Sequence, residues 1–398
     1  SNLEVLPNPN FLNVNDTTKY FHKYYINRRK ELQILLDDDG TALGGKWSFD
    51  AQNRKKIPKG EKLPSDLVFE NKYTDEAKKY VKKFKTTGIA DEIYFPTTFA
   101  EAKIVLKEFL QRKFFKFGLY QDAITQEDSF LYHSNISSAL NIGLLDLHFV
   151  IDEVLKYEDV PLNAKEGFVR QVIGWREFMF QTYKSSHVQM RNSNFFECKN
   201  AMPTKIFQGE SGILPLDSVM KKVSKTAYAH HIERLMILGN IFLLLEIKPN
   251  GVHDFFMANF IDAYDWVMVA NVYGMSGFSD GGSITTKPYI ASSNYMLKMS
   301  NYKKGPWCEI VDALYWSFMK KHSHRFANNP RMKMQIALLE KMDESKLHKH
   351  LQIAREFKKS LEMFEFVEDD DSRLIEMAWQ DRTTFDSIEK IYGLSENQ

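Results

Sequence analysis

A mainly α-helical chain is predicted by three features of the sequence. Thr98-Phe99-Ala100-Glu101 has the Thr-x-x-Glu form of a helix start, and Ile104, Val105, Leu106, Phe109 and Leu110 then fall on one helical stripe. Asn141 to Leu155 and Ile232 to Leu245 are apolar runs with a helical period, which predicts two core helices. No series of alternating strands, no βαβ rhythm and no Gly-rich phosphate loop after a strand occurs, so a dinucleotide site of the Rossmann type is not expected.

The connecting segments follow from composition. Thr41 to Ser65 is rich in Gly, Pro and Lys and predicts an irregular linker. Gln208 to Asp217 and Tyr273 to Pro288, the latter with glycines at 274, 277, 281 and 282, also predict linker-like loops. The 398 residues leave room for two or three domains, and 43% hydrophobic with 26% charged residues exclude a collagenous, low-complexity or wholly disordered chain. Thirty Phe, 18 Tyr and 6 Trp must fill a core or line a wide pocket.

Charge and cysteine content narrow the function classes. The net charge of +1 argues neither for nor against nucleic acid, so distribution decides. Lys55, Lys56, Lys59, Lys62, Lys78, Lys79, Lys82, Lys83 and Lys85 concentrate positive charge early in the chain, as a solvated face or as a face for phosphates. Glu368 to Asp371 reads as an exposed acidic loop. Cys198 and Cys308 fit a reducing compartment, read as the cytoplasm, and exclude a disulfide framework or a four-cysteine metal cluster. The most apolar run, Met236 to Ile247, is too short to span a membrane, so no membrane partner is expected. There is no secretory signal, and the opening Ser1-Asn2 without Met reads as a tag remnant ahead of a segment of a longer protein.

Four constellations could carry chemistry. In Glu166 to Met179, Arg170, Gln171, Trp175, Arg176 and Glu177 repeat near helical spacing, as a face for a polar ligand or as a buried ion-pair network. In Tyr228 to Leu235, His230 and His231 stand side by side near Arg234. Adjacent helical residues point about 100° apart, which disfavours shared metal ligation and favours acid/base or hydrogen-bonding roles; no metal is expected. Asp262-Ala-Tyr-Asp265-Trp266, Asn271 and the loop with Asp280 and Lys287 combine backbone N–H groups with polar side chains, as a ligand loop or a plain tight loop. His133-Ser134-Asn-Ile-Ser137 precedes an apolar helix and suits either a pyrophosphate or an ordinary N-cap. His322-Ser-His324 and His348-Lys-His350 read as solvent-exposed, and no GxSxG elbow or HExxH helix occurs.

The order of these motifs resembles the deoxyribodipyrimidine photolyase-related family, the bacterial photolyase and cryptochrome branch that includes iron–sulfur (6-4) photolyases. The resemblance runs from Gly44 to Arg54, through Phe117 to Asp122 and His133 to Leu144, then Arg170 to Met179, Ala227 to Gly239, Gly274 to Asn301 and Ala313 to Trp316. It implies an all-helical FAD-binding domain over residues 91–398, a linker and helical connector over 1–90, and an α/β antenna domain absent from this fragment. It implies FAD with its phosphates near Ser134 and Ser137 and its rings among Gln171, Trp175, Arg176, Arg234, Asp262, Asn271, Asp280 and Lys287. His230 and His231 match the pair facing the lesion in family members that repair (6-4) photoproducts, so UV-damaged DNA is the implied partner.

This chain departs from that pattern at defined positions. Pro215, Lys303 and Pro306 stand where cluster-bearing members carry cysteines, with Cys308 retained, so no iron–sulfur cluster is expected. Phe207, Phe255 and Phe256 stand in place of a Trp and Tyr electron relay, and Met268 stands where a carboxylate is usual. Three readings follow: a light-driven DNA repair enzyme of (6-4) type, a cryptochrome-like photoreceptor or non-catalytic homologue, and a helical DNA-binding scaffold that has lost flavin.

Overall fold

The computed structural model describes residues 11–12, 18–84, 88–89 and 91–363. Lys85 and the acidic run Glu368 to Asp371 lie outside the described residues. Among the described residues no strand forms, and extended segments meet only at isolated bridges such as Ile124 to Ser300 and Asn200 to Ile247.

The first helix, α1 (Phe21–Glu31), is followed by the irregular stretch predicted from composition, with short 3-10 turns at Leu43–Gly45 and Asp50–Gln52. In α2 (Lys72–Val81), the Asn71 side chain accepts from the Thr74 N–H and Thr74 reaches back to Asn71, a full capping box. Helix α3 (Phe99–Glu108) starts where Thr98 predicts, since the Thr98 hydroxyl accepts from the Glu101 N–H. Glu101 instead accepts from the Thr97 N–H at 2.9 Å, so the reciprocal half of the box sits one residue early. A π-helical turn, Phe109–Lys113, leads into α4 (Phe114–Tyr120).

Helix α5 (Ser137–Asn141) and α6 (Leu147–Leu155) correct the single run expected over Asn141 to Leu155. Gly143 at φ +77° turns the chain between them, and Asp146 caps α6 by accepting from the Phe149 N–H. Helix α7 (Leu162–Val169) runs through a π-helical segment, Arg170–Arg176, into α8 (Glu177–Arg191). After α9 (Thr204–Gln208) comes α10 (Leu214–Thr226), whose first turn takes in residues expected to be linker because Pro215 suits the opening of a helix.

The apolar run from Ile232 is one continuous helical stretch: α11 (His231–Glu233), a π segment Arg234–Gly239, and α12 (Asn240–Leu244). Helix α13 (Pro249–Asn259) and α14 (Asp265–Val269) follow, the latter continuing as the π segment Ala270–Ser276. The loop expected from Tyr273 therefore begins only at Gly277. The remaining helices are α15 (Ser293–Met299), α16 (Pro306–Lys321), α17 (Ser323–Phe326), α18 (Lys333–Glu340) and α19 (Glu344–Ser360).

Two large apolar cores hold the helices among the described residues. One gathers α10 to α16 and α19 around Phe242, Phe255, Leu314 and Phe318; the other gathers α3, α4, α6 and α7 around Phe109, Phe114 and Phe168. The second depends on a close crossing of α4 and α7, where a Cβ on Gly118 would stand 2.5 Å from the Ala164 backbone. Backbone cannot yield as a flexible side chain can, so Gly118→Ala is expected to cost about 1–3 kcal/mol, read as a lower denaturation midpoint. An unchanged midpoint would show that the crossing is looser than this spacing.

Candidate functional site

Chain order puts the two histidines at a helix entrance rather than along a helix. His230 precedes α11 in extended backbone at φ −73° and ψ 164°, and His231 is the first helical residue. The 100° spacing expected of neighbours on a helix therefore does not apply. The His230 ring is buried and stacks on His133 with centroids 4.7 Å apart and 11° between planes. His231 stands edge-on to His133 at 5.6 Å, is 42% exposed at its side chain, and places Nε2 3.2 Å from Asp122 Oδ1. Leu131 at φ +46° and Asn135 at φ +56° bracket His133 in left-handed backbone, a conformation that tertiary packing must hold in place.

Burial sets the protonation of this group. Desolvation, with the neighbouring His231 next in size, carries His133 well below the ordinary imidazole range, and desolvation followed by His133 and His231 does the same to His230. Behind them Glu233 is fully buried; desolvation raises its pKa while the Lys222 ammonium, 2.7 Å away, opposes the rise.

Beside the histidines, three predicted cofactor residues meet. Arg234 donates through both terminal nitrogens to Asp262, at 2.9 and 3.1 Å, and through Nε to the Ala229 carbonyl at 2.6 Å. Ser137 Oγ donates to Asp262 Oδ2 at 2.7 Å, and Asn141 Nδ2 donates to the Asp262 carbonyl at 3.0 Å. The Arg234 guanidinium lies 4.4 Å over the Phe260 ring. From Phe260 a run of phenylalanines continues through Phe255 (6.2 Å) to half-exposed Phe207 (5.6 Å), with Phe256 5.1 Å from Phe260. The residues singled out in place of an electron relay thus do line up toward Arg234, but as rings harder to oxidise than Trp or Tyr.

The other predicted residues have other partners. Trp175 stacks on Phe21 at 3.6 Å, and the Arg176 guanidinium lies 4.3 Å from the Phe11 ring and 5.1 Å from Trp266. Gln171 shares the π segment with them and is partly buried. Of the two meanings given to this face, the ion-pair network is present: Arg170 meets Glu166 at 3.1 Å and Asp50 at 3.2 Å, while Arg176 lies 3.5 Å from Glu177. Asn271 Nδ2 donates to the Val267 carbonyl one turn back at 2.8 Å. Asp280 Oδ1 accepts from the Gly282 N–H at 2.9 Å, the arrangement of a tight turn, and Lys287 is half-buried further along that loop. Ser134 lines a cleft with Tyr94, Glu108, Lys113 and Asn135, none of which bonds Asp262.

The Arg176 and Glu177 pair shows burial outweighing attraction. Desolvation raises Glu177 to about 7 against the Leu12 N–H and Arg176, and desolvation lowers Arg176 to about 10 against Glu177. A carboxyl whose folded pKa is raised supplies stability at low pH that is lost as pH rises through that value. Glu177→Gln is therefore expected to match the parent below pH ~4.5 and to exceed its stability by about 2–3 kcal/mol at pH 8. Melting curves at both pH values decide this, and equal melting at pH 8 would refute it.

Asp122, Glu233 and Lys222 were missed as site residues by sequence reasoning, although Asp122 and Glu233 lie within motifs it quoted. The signal available was the ionisable residue inside each apolar motif. His322, read as solvent-exposed, is buried and places Nε2 3.1 Å from Glu246 Oε1, a carboxylate that Lys358 of α19 also meets. Cys198 and Cys308 are buried thiols, and burial pushes Cys198 up to about 12. No helix among the described residues is long and apolar enough to cross a membrane.

The residues near Arg234 suit a polar cofactor group. Ser138 Oγ, next to Ser137, and Asn135 Oδ1, beside Ser134, are buried without a hydrogen-bond partner among the described residues, which leaves each able to meet a ligand or a water.

Residues 2–94 match the family described as deoxyribodipyrimidine photo-lyase-related protein, and residues 372–398, outside the described residues, match one described as protein of unknown function (DUF2805). An uncharacterized protein of Acanthamoeba polyphaga mimivirus is 51% identical over 92 residues, 23% of this chain and 75% of that one. A crystal structure of a bacterial class III photolyase from Agrobacterium tumefaciens aligns at TM-score 0.42 and 14% identity, over 74% of this chain and 56% of that one. A Synechocystis cryptochrome aligns at TM-score 0.39 and 13% identity, over 69% and 58%. The chain thus spans little more than half of either solved protein. It is 35% identical over 348 residues to the (6-4) photolyase of Agrobacterium fabrum, 83% of this chain and 68% of that enzyme. On that extent of identity the chain belongs to the photolyase-related family.

Proposed function

We propose that this protein is a flavin-dependent photolyase of (6-4) type, acting on UV-damaged DNA, with the lesion meeting His231 at the open edge of the histidine group. The observation that carries the reading is the meeting of His133, His230 and His231 beside the Ser137, Arg234 and Asp262 cluster: one partly exposed imidazole backed by two buried ones and a fixed charge pair. FAD, when bound, supplies an electron on illumination in its reduced form.

The chain's own residues do the rest. Asp122 holds His231 at Nε2 and orients its ring, so the exposed imidazole can pass a proton to a flipped-out base. His230 and His133, buried and neutral, wall that position against water. Arg234 is the cation that Asp262 fixes for a polar cofactor group, and Asp262 also holds Ser137. Gln171, Trp175, Arg176, Asn271, Asp280 and Lys287 remain proposed flavin contacts, with His230 and His231 as the proposed catalytic pair. The aromatic faces of Phe11 and Phe21 on Arg176 and Trp175 must then be compatible with the cofactor.

On the N-terminal side, Lys55, Lys56, Lys59, Lys62, Lys79, Lys82 and Lys83 are exposed, and Tyr73, Tyr80 and Phe84 are exposed beside the last of them. Cations interleaved with aromatic rings suit a nucleic-acid backbone. We read the protein as working without an iron–sulfur cluster, on the ground of Pro215, Lys303 and Pro306.

The visible absorption spectrum of the purified protein and of the chromophore released by heat, followed by repair of (6-4) photoproduct DNA in light and darkness, tests this reading. Flavin bands with light-dependent repair support it. A protein that takes up no added FAD, or that binds FAD and repairs nothing in light, overturns it; the second outcome points to the photoreceptor alternative.

A further inference from the structure

Three imidazoles meet from two separate parts of the chain. His133 comes from the loop ahead of α5, and His230 and His231 from the entrance to α11. A ligand atom from each lies within 4.8 Å of the other two. His133 is 7% exposed and His230 1%, and His133 Nε2 and both ring nitrogens of His230 lack a hydrogen-bond partner. Leaving buried nitrogens unsatisfied costs about 1–3 kcal/mol for each group, which a bound ligand would recover.

The donor set indicates what that ligand is. Magnesium and calcium take oxygen ligands, whereas an all-imidazole set suits zinc(II), nickel(II) or copper(II). Carboxylates stand behind two of the rings, as they do behind metal-ligating histidines: Asp122 Oδ1 is 3.2 Å from His231 Nε2, and Glu233 Oε2 is 3.6 Å from His230 Nε2. Lys222, 2.7 Å from the other Glu233 oxygen, keeps that carboxylate in place. We propose that His133, His230 and His231 form a three-imidazole site for a divalent transition-metal ion of the zinc class, with a fourth coordination position open on the exposed side of His231.

Tetrahedral zinc with bonds of about 2.0–2.1 Å brings its ligand nitrogens to about 3.3 Å from one another, so binding requires the stacked His133 and His230 rings to part and turn about their side-chain torsions. The backbone permits this, because His230 lies outside the helix and is free of the spacing that would splay adjacent helical side chains. A metal-held His231 cannot also move a proton. The metal-loaded protein is therefore the inactive form in light-driven repair, a consequence that rests on the function proposed above; metal binding itself does not.

The test titrates the full chain with zinc(II) alone, by calorimetry, while flavin absorbance is recorded on the same sample, and repeats the titration with cobalt(II) to read the ligand-field bands of a tetrahedral nitrogen site. One equivalent per chain is expected, with zinc displacing cobalt. His231→Ala and His133→Ala should each weaken binding at least 10-fold, Asp122→Asn by about 10-fold as a supporting carboxylate, and His348→Ala should change nothing. Circular dichroism shows whether each variant folds; His231, half exposed, is the variant that decides if His133→Ala does not. No saturable binding, or equal binding in His231→Ala, overturns the site. Failure of the flavin reading shows instead as absent flavin bands, with the zinc titration still legible.

Discussion

His231→Ala is expected to lower light-driven repair by about 10²–10⁴-fold while leaving the flavin spectrum and the melting temperature nearly as they were. The three parts of this result have separate causes. His231 is the exposed member of the histidine group and is held by Asp122 at its rim, so its removal opens no core cavity. Arg234, Asp262 and Ser137, the fixed polar cluster beside it, keep their mutual hydrogen bonds without it. A positioned acid/base group contributes to the reaction far more than to binding. Single-turnover repair after a light pulse, compared with flavin absorbance in the same sample, separates these effects. Undiminished repair would remove His231 from the reaction, and joint loss of flavin and repair would make it a cofactor contact instead.

Glu246→Gln is expected to cost about 3–5 kcal/mol of folding stability, a fall in Tm on the order of 10 °C. Glu246 follows α12 in left-handed backbone at φ +57° and is 6% exposed. Its oxygens accept from Lys321 at 2.7 Å, His322 at 3.1 Å and Lys358 at 2.7 Å, joining α16, α19 and the apolar helical stretch at one carboxylate. Burial alone would raise its pKa. The His322 hydrogen bond, the Lys358 charge and the hydrogen bonds of Lys321 and Lys358 outweigh burial and hold the carboxyl well below the usual range. A carboxyl with a depressed pKa stabilises the fold above its ordinary value and loses that contribution as pH falls through the folded one. The difference between parent and variant should therefore be full at pH 7 and shrink below pH ~4. A difference that does not change with pH would mean that packing, and not charge, makes the contribution.

The helices were legible because their signals are local. Thr98 starts α3 through its own hydroxyl, and the apolar period of Ile232 to Leu245 is carried by consecutive residues of one buried stretch. The breaks were less legible. Gly143 ends one helix by its backbone angle, whereas Gly274, equally suggestive of a loop, stays inside a π segment with Ile284 packed where a side chain would stand. Three of the π segments, Arg170–Arg176, Arg234–Gly239 and Ala270–Ser276, carry residues singled out for the cofactor, and an inserted residue in a helix re-aims the side chains that follow it.

By itself the sequence determined the helical class and the family, and it singled out the histidine pair, Arg234, Asp262 and Ser137 as candidates. Residue type and order suffice for these, since hydrophobic period and ordered motifs are properties of the chain read in line. Only the tertiary structure decided which of those residues meet. It placed His133 on His230 across about a hundred residues of chain, gave Asp122 to His231 and Glu233 to Lys222, and sent Trp175 and Arg176 to a separate aromatic cluster with Phe21 and Phe11. Such pairings depend on helix crossings and on which charges lose water together, and neither is written in the spacing of residues along the chain.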